Sequence, residues 1–159
     1  MTYFECYADE SLLRFLGHPS NELSGGHSHG RSRVCAKLSK VNGAFGLVDE
    51  DPGAARDPYL TYLYTQPALH QDVNLILFEH KKAQNRLLVL RPTLEHFIVN
   101  VAAESNLDLE SERYRLSMRA DRLHDMLSPK YSLREQDCFL KSAKSSKVIE
   151  TLSSLVKQY

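Results

Sequence analysis

The stretch AFGLVDEDPG, Ala44 to Gly53, constrains this chain more than any other. Ala44 to Val48 is a continuous run of small and apolar residues with no polar side to offer water. Such a run reads as a strand covered on both faces, the environment of a parallel sheet packed by helices. It runs straight into Asp49, Glu50 and Asp51, and Pro52-Gly53 then end it in a turn. In parallel α/β sheets ligands gather beyond the carboxyl ends of the strands. Three acids at that position are therefore either a solvated turn or part of a site.

The flanking pattern supports the sheet. Thr2 to Tyr7 is a short β-rich run. Asp9 is placed to cap a helix carrying Leu12, Leu13 and Leu16, stopped by Gly17 and Pro19. A glycine- and histidine-rich loop, SGGHSHGRSR, leads into a second helix with Val34, Cys35 and Leu38, ended by Asn42-Gly43. Between the two helices only Asn21 to Ser24 is available for a strand, and it is poor strand material. Residues 52–72 read as a surface excursion with one short helix. Val73 to His80 and Arg86 to Pro92 are strand candidates joined through KKAQN as a hairpin. Thr93 caps a helix with Leu94, Phe97, Ile98 and Val101 on one face. In the charged last third, Leu116, Leu123, Met126 and Leu127 mark one helix. Val148, Ile149, Leu152, Leu155 and Val156 mark another at the end. The expected fold is α/β, with a mostly parallel sheet plus a β-hairpin over residues 1–105 and a helical C-terminal extension, 106–159, packed on it.

A chain of 159 residues is long enough for one core. Its formal charge is zero, so no global basic field advertises nucleic acid and only a local patch would serve. The longest apolar runs fall far short of a membrane span, and MTYFECYADE lacks the pattern of a signal peptide. Cys6, Cys35 and Cys138 are odd in number and far apart, which reads as reduced thiols in a cytoplasmic protein.

If the first strand and the Ala44–Val48 strand are neighbours, Glu5, Asp49 and Asp51 converge. Clustered carboxylates raise one another's pKa, and a divalent cation relieves the repulsion. Oxygen donors of this kind favour Mg²⁺ or Mn²⁺ over zinc. Glu50 points away from its two neighbours if the segment is extended.

FECYADE resembles the first motif of TOPRIM domains, a strand-end glutamate followed four residues later by an acid; Glu5 and Asp9 stand at those positions. LVDEDPG resembles their second motif, the DxD at a strand end, matched by Asp49 and Asp51. Cys6 stands where the family usually has glycine. VNLILFEHKKAQNRLLVLRPTLEHFIV resembles the segment of small stand-alone TOPRIM proteins, and of the nuclease domains of the OLD (overcoming lysogenization defect) family, in which a strand and hairpin lead to a helix bearing a glutamate, here Glu95. The resemblance covers residues 1–105. It implies a Rossmann-like TOPRIM core performing Mg²⁺- or Mn²⁺-dependent phosphoryl transfer on nucleic acid, DNA rather than RNA, as a nuclease. It implies Glu5, Asp49 and Asp51 as the catalytic acids, and the same three with Glu95 as metal ligands. Glu5 serves either as a ligand or as general base. Asp9 and Glu50 would act on the site through other residues.

Other groups carry two readings each. Arg31 and Arg33 at a helix start form either a phosphate cradle or part of a flexible loop. Lys81 and Lys82 in the hairpin either steady a phosphate or are solvated. His27 and His29 are a solvated loop or a partial metal site. Tyr59, Tyr62 and Tyr64 stack on bases or build core. Arg113, Arg115, Arg119 and Arg122 grip phosphates from a late helix, or are balanced there by Glu112 and Asp121. The chief rival to an enzyme is a non-catalytic or partner-dependent subunit, for example of an ATPase, that keeps the fold; self-association through the last helix is also open. A receiver-like phosphoacceptor is disfavoured, because receivers pair their acids after the first strand rather than the third.

Overall fold

The computed structural model describes residues 1–55, 57–127 and 133–157. It is an α/β structure with one five-stranded mixed sheet and, among the described residues, eight helices. In chain order these are β1 (Thr2–Phe4), α1 (Tyr7–Phe15), α2 (Ser20–Leu23), α3 (Arg31–Leu38), β2 (Phe45–Asp49), α4 (Pro58–Tyr64), β3 (His70–Gln71), β4 (Leu75–His80) and β5 (Asn85–Leu90), then α5 (Leu94–Glu104), α6 (Ala120–Leu127), α7 (Leu133–Ser142) and α8 (Lys147–Lys157). By their contacts they form two compact units. One holds Met1–Cys6 and Ser20–Thr93; the other holds Tyr7–Pro19 and Leu94–Tyr159.

The first unit contains the sheet, ordered β1-β2-β5-β4-β3. Its heart is parallel: β1 pairs with β2, and β2 with β5. The β4–β5 hairpin and the two-residue β3 add antiparallel edges. The expected neighbours β1 and β2 are adjacent, with Phe4 opposite Leu47. The apolar run forms β2, and Phe45, Leu47 and Val48 are fully buried. Gly46 lets two helical and sheet side chains close over the strand: a Cβ there would lie 2.7 Å from Leu38 Cδ1 and 2.8 Å from Leu87 Cδ1. One face of the sheet thereby forms a core with α3 and α4, built from Tyr3, Val34, Leu38, Val48, Leu63 and Phe78 among others.

Asn21 to Ser24 is not a strand. Ser20–Leu23 is a short helix, and β1 gains its outer partner further on, as a single parallel bridge between Phe4 and His27. The Phe4 N–H donates to Gly26 O and the Ser28 N–H to Phe4 O. Gly26 permits that approach, since a Cβ there would fall 2.1 Å from Thr2 O. Polar, turn-prone residues hold one bridge but not a ladder.

The second unit is helical. α1 packs on α7, α5 on α6, and Tyr114 meets Phe139 edge-on. α1 begins at Tyr7, so Asp9 lies inside its first turn, 3 % exposed, rather than capping it. α7 went unmarked in the sequence, and Leu116 precedes α6 instead of belonging to it. No helix of the described residues is long and apolar enough to cross a membrane.

Asn85 joins the sheet to its helical cover. Its Oδ1 accepts from Ala44 N at 2.8 Å, and its Nδ2 donates to Leu38 O and Val41 O, each at 2.8 Å. Asn85→Ala strands buried backbone groups and is expected to cost about 2–4 kcal/mol, from an unmet-group penalty of ~1–3 kcal/mol each with partial relaxation. Chemical denaturation of the variant against the native protein checks this.

Candidate functional site

The acids meet at the carboxyl edge of the parallel strands. Glu5 follows β1 directly, and its Oε1 accepts from the backbone N–H of Asp49 at 2.8 Å. The Arg31 amide, at the start of α3, also stabilises the Glu5 carboxylate. The residue before that helix, Gly30, brings no capping side chain. Glu5 thus supplies the anion that a helix N-terminus favours. Even so, burial pushes the Glu5 carboxyl above its ordinary value, and the charge of Asp51 adds to that. The Asp49 amide, the Arg31 charge and the Arg31 amide oppose it.

Asp49 brings its amide to Glu5, but alternation sets its side chain apart. Asp49 shares a face of β2 with Phe45 and Leu47, whereas Glu5 follows Tyr3 on the face covered by α3. Asp51 sits in a left-handed turn, φ +46, and is exposed. That conformation is uncommon for a residue with a side chain, though aspartate tolerates it better than most. The turn is held by Glu50 N donating to Leu90 O and Asp51 N to Pro92 O. Among the described residues no three His, Cys, Asp or Glu side chains come together closely enough to hold a metal ion.

Glu50 is turned away from Asp49, as expected, and carries a structural contact. Its carboxylate accepts from Tyr64 Oη at 3.1 Å and pairs with Arg91 Nε at 3.2 Å. This ties the acidic turn to α4 and to the segment after β5.

Arg31 is not a phosphate cradle in this structure. It is 7 % exposed and its guanidinium is spent on the acidic turn: Nη1 donates to Glu50 O and Asp51 O, and Nη2 to Ala55 O at 3.0 Å. A cation in the first turn of a helix opposes the helix dipole. That conflict was the sequence signal for another task, and the task is clamping residues 50–55. Arg33 lies exposed on α3.

Lys81 and Lys82 occupy the β4–β5 turn, at the other end of the sheet. Asp49 is level with Leu90, and the hairpin turn precedes Asn85, so about 16 Å of strand separates them at ~3.3 Å per residue. They do not join the acids. Glu95 and Asp9 belong to the helical unit, where Glu95 Oε1 lies 2.8 Å from His124 Nδ1. His27 and His29 rings lie 4.0 Å apart, with His27 stacked on Phe4. The four late arginines do not share a helix: only Arg122 lies in α6, and Arg119 pairs with Asp121 at 2.6 Å. Cys35, buried beneath α3, has its thiol pushed up to about 12, chiefly by burial, so it is no nucleophile at neutral pH. Cys6, Cys35 and Cys138 form no disulfide.

No known protein family matches this chain, and neither a curated protein nor a solved structure matches it.

The Glu5 shift has a stability consequence. An acid whose pKa is raised by folding binds its proton more tightly in the native state. Its contribution is full below the unfolded value near 4.5 and is lost as pH rises through the higher folded value. Glu5→Gln, neutral throughout, is expected to gain a few degrees in Tm over the native protein at pH 7–8. The gap should close by about pH 4, where Glu5 is protonated anyway. Thermal melts across that range measure it.

Proposed function

We propose that this protein is a TOPRIM-type phosphodiesterase that cleaves nucleic acid with Mg²⁺ or Mn²⁺. The observation that carries the reading is Glu5 at the carboxyl edge of adjacent parallel strands: a half-buried carboxyl with a raised pKa, in electrostatic reach of Asp51 in its left-handed turn. Perturbed acids beside an uncommon backbone conformation are the usual marks of a working site.

The donor chemistry fits a magnesium-type ion. The acids offer only oxygen. Burial first, and the Asp51 charge to a smaller extent, push Glu5 toward protonation, and a cation would relieve the second of these. Magnesium takes one or two carboxylates and fills its remaining positions with water and phosphate oxygen, so a preassembled cage of three is not required. Asp51 and Glu5 would hold it, whereas the Asp49 side chain stands on the other face of β2. Bound there, the ion would polarise a phosphate and lower the pKa of an attacking water. The chain's own groups act around it. Glu5, its carboxyl raised by burial, would be a stronger base than an ordinary glutamate toward such a water. Arg31 holds the turn that presents Asp51 through the carbonyls of Glu50, Asp51 and Ala55. The Glu50–Arg91 pair and the Tyr64 hydroxyl brace that turn from behind.

A second reading is a subunit that keeps the fold and acts only through a partner such as an ATPase. It is favoured by the absence, among the described residues, of three converging metal-capable side chains. Purified protein incubated with plasmid, single-stranded DNA and RNA in Mg²⁺ or Mn²⁺ separates the two. Cleavage that falls by about 10²-fold or more in Asp51→Asn and in Glu5→Gln is the expected result. No cleavage of any polymer, with no metal uptake by calorimetry, leaves the partner-dependent subunit.

A further inference from the structure

The lysines that the fold removes from the acids do not lie alone. Lys81 and Lys82 directly follow His80, the last residue of β4. The His80 ring contacts two tyrosines from α4: Tyr59, stacked at 5.6 Å between ring centroids and 5° between planes, and Tyr62, at 5.0 Å and tilted by 41°. Tyr59 packs against the core, as does Tyr64, but Tyr62 does not; its ring is 45 % exposed. The fold therefore gathers three aromatic rings at this edge, and one of them, Tyr62, is open to solvent.

Asp57 lies at the start of α4, its carboxylate occupied by the Tyr59 amide, and the charges in the turn beside His80 are basic. Lys81 and Lys82 are exposed in the turn. Lys40 is exposed three residues before Gly43, whose N–H donates to Ala83 O in the same turn at 2.8 Å. The nearest acid in the strand, Glu79, is paired with Arg86 and lies on the opposite face of β4 from His80. In a chain of zero net charge this is a local basic patch.

We propose that this edge binds single-stranded nucleic acid, with a base stacked on the exposed Tyr62 ring where it meets His80, and phosphates held by Lys81, Lys82 and Lys40. Aromatic faces accept any unpaired base, while lysines beside them follow the backbone; duplex DNA hides its base faces and lacks the first of these contacts. The lysine turn is about 16 Å along the strands from the acidic edge, so those two lysines would hold the backbone away from the reacting phosphate. The proposal deepens the nuclease reading by naming its substrate class. Its test uses no catalysis, so the two can fail separately.

The chain contains no tryptophan, so Tyr62→Trp keeps a stacking ring and gives a single emitter. In EDTA it is titrated with oligothymidylate of about 15 nucleotides, the upper range of an ordinary single-strand site, and with a duplex of equal length. The expected result is quenching by the single strand, at least tenfold tighter than by duplex. Lys81→Glu with Lys82→Glu should weaken binding tenfold or more. Losing two phosphate contacts should also flatten the slope of log K against log salt by about 1.4. Tyr62→Ala should weaken binding and Tyr62→Phe restore it, with circular dichroism unchanged for these exposed positions. No binding tighter than about 100 μM, the weak end of non-specific binding, overturns the proposal. So does binding indifferent to the lysine reversals or to Tyr62→Ala, or binding equal for duplex. Single-strand binding without cleavage at any metal concentration upholds this surface and removes the nuclease.

Discussion

The Glu5 carboxylate is the tie on which the acidic edge depends. β1 is only three residues long, with one ladder partner and one isolated bridge. Its end would fray without further contacts. Glu5 accepts the Asp49 amide where β2 ends and supports the Arg31 amide where α3 begins. One side chain thereby fixes the ends of three elements at a common point. Burial of the carboxyl is what makes these bonds strong and what raises its pKa at the same time. The tie and the shifted carboxyl thus have one origin, the desolvation of Glu5 at the strand edge.

The elements that periodicity marks strongly were legible. The Ala44–Val48 run, the Val73–Pro92 hairpin, α5 and α8 each bury a patterned face, and burial is what the pattern reports. Short elements were not legible. α2 and β3 have four and two residues, too few for a period to emerge, and their conformation follows from neighbours. α1 was seen as a helix, but its allegiance to α7, more than a hundred residues away, is a long-range packing choice that no local window contains. The same holds for the lysines: KKAQN announces a turn, while which end of the sheet it occupies depends on strand order.

The acids were placed correctly on an edge, because strand-end position is set by the apolar run before them. Their facing was harder. Strict alternation separates Asp49 from Glu5 across the sheet, and only the left-handed turn at Asp51 brings a second charge back toward Glu5. A non-glycine residue in that conformation is invisible in composition. Arg31 carried a clearer warning, since a cation at a helix start needs compensation. The compensation is a set of backbone carbonyls rather than a bound anion.

That choice of partners matters for charge. Arg91 is matched to Glu50, one cation to one anion. The Arg31 guanidinium acts on Glu5 through its field, and its Nη1 and Nη2 donate to neutral carbonyls of the turn that holds Asp51. After burial, the Asp51 charge is one of the causes that raise the Glu5 carboxyl, and the Arg31 charge opposes it. The turn that carries Asp51 is fixed by Arg31 and by the segment after β5, so this spacing is built into the fold. Burial raises the Glu5 carboxyl and so favours its protonated form. On the metal-dependent reading proposed above, a doubly charged cation would act in the opposite direction, so the acidity of Glu5 with and without Mg²⁺ is the quantity that tells a buried structural acid from a metal ligand.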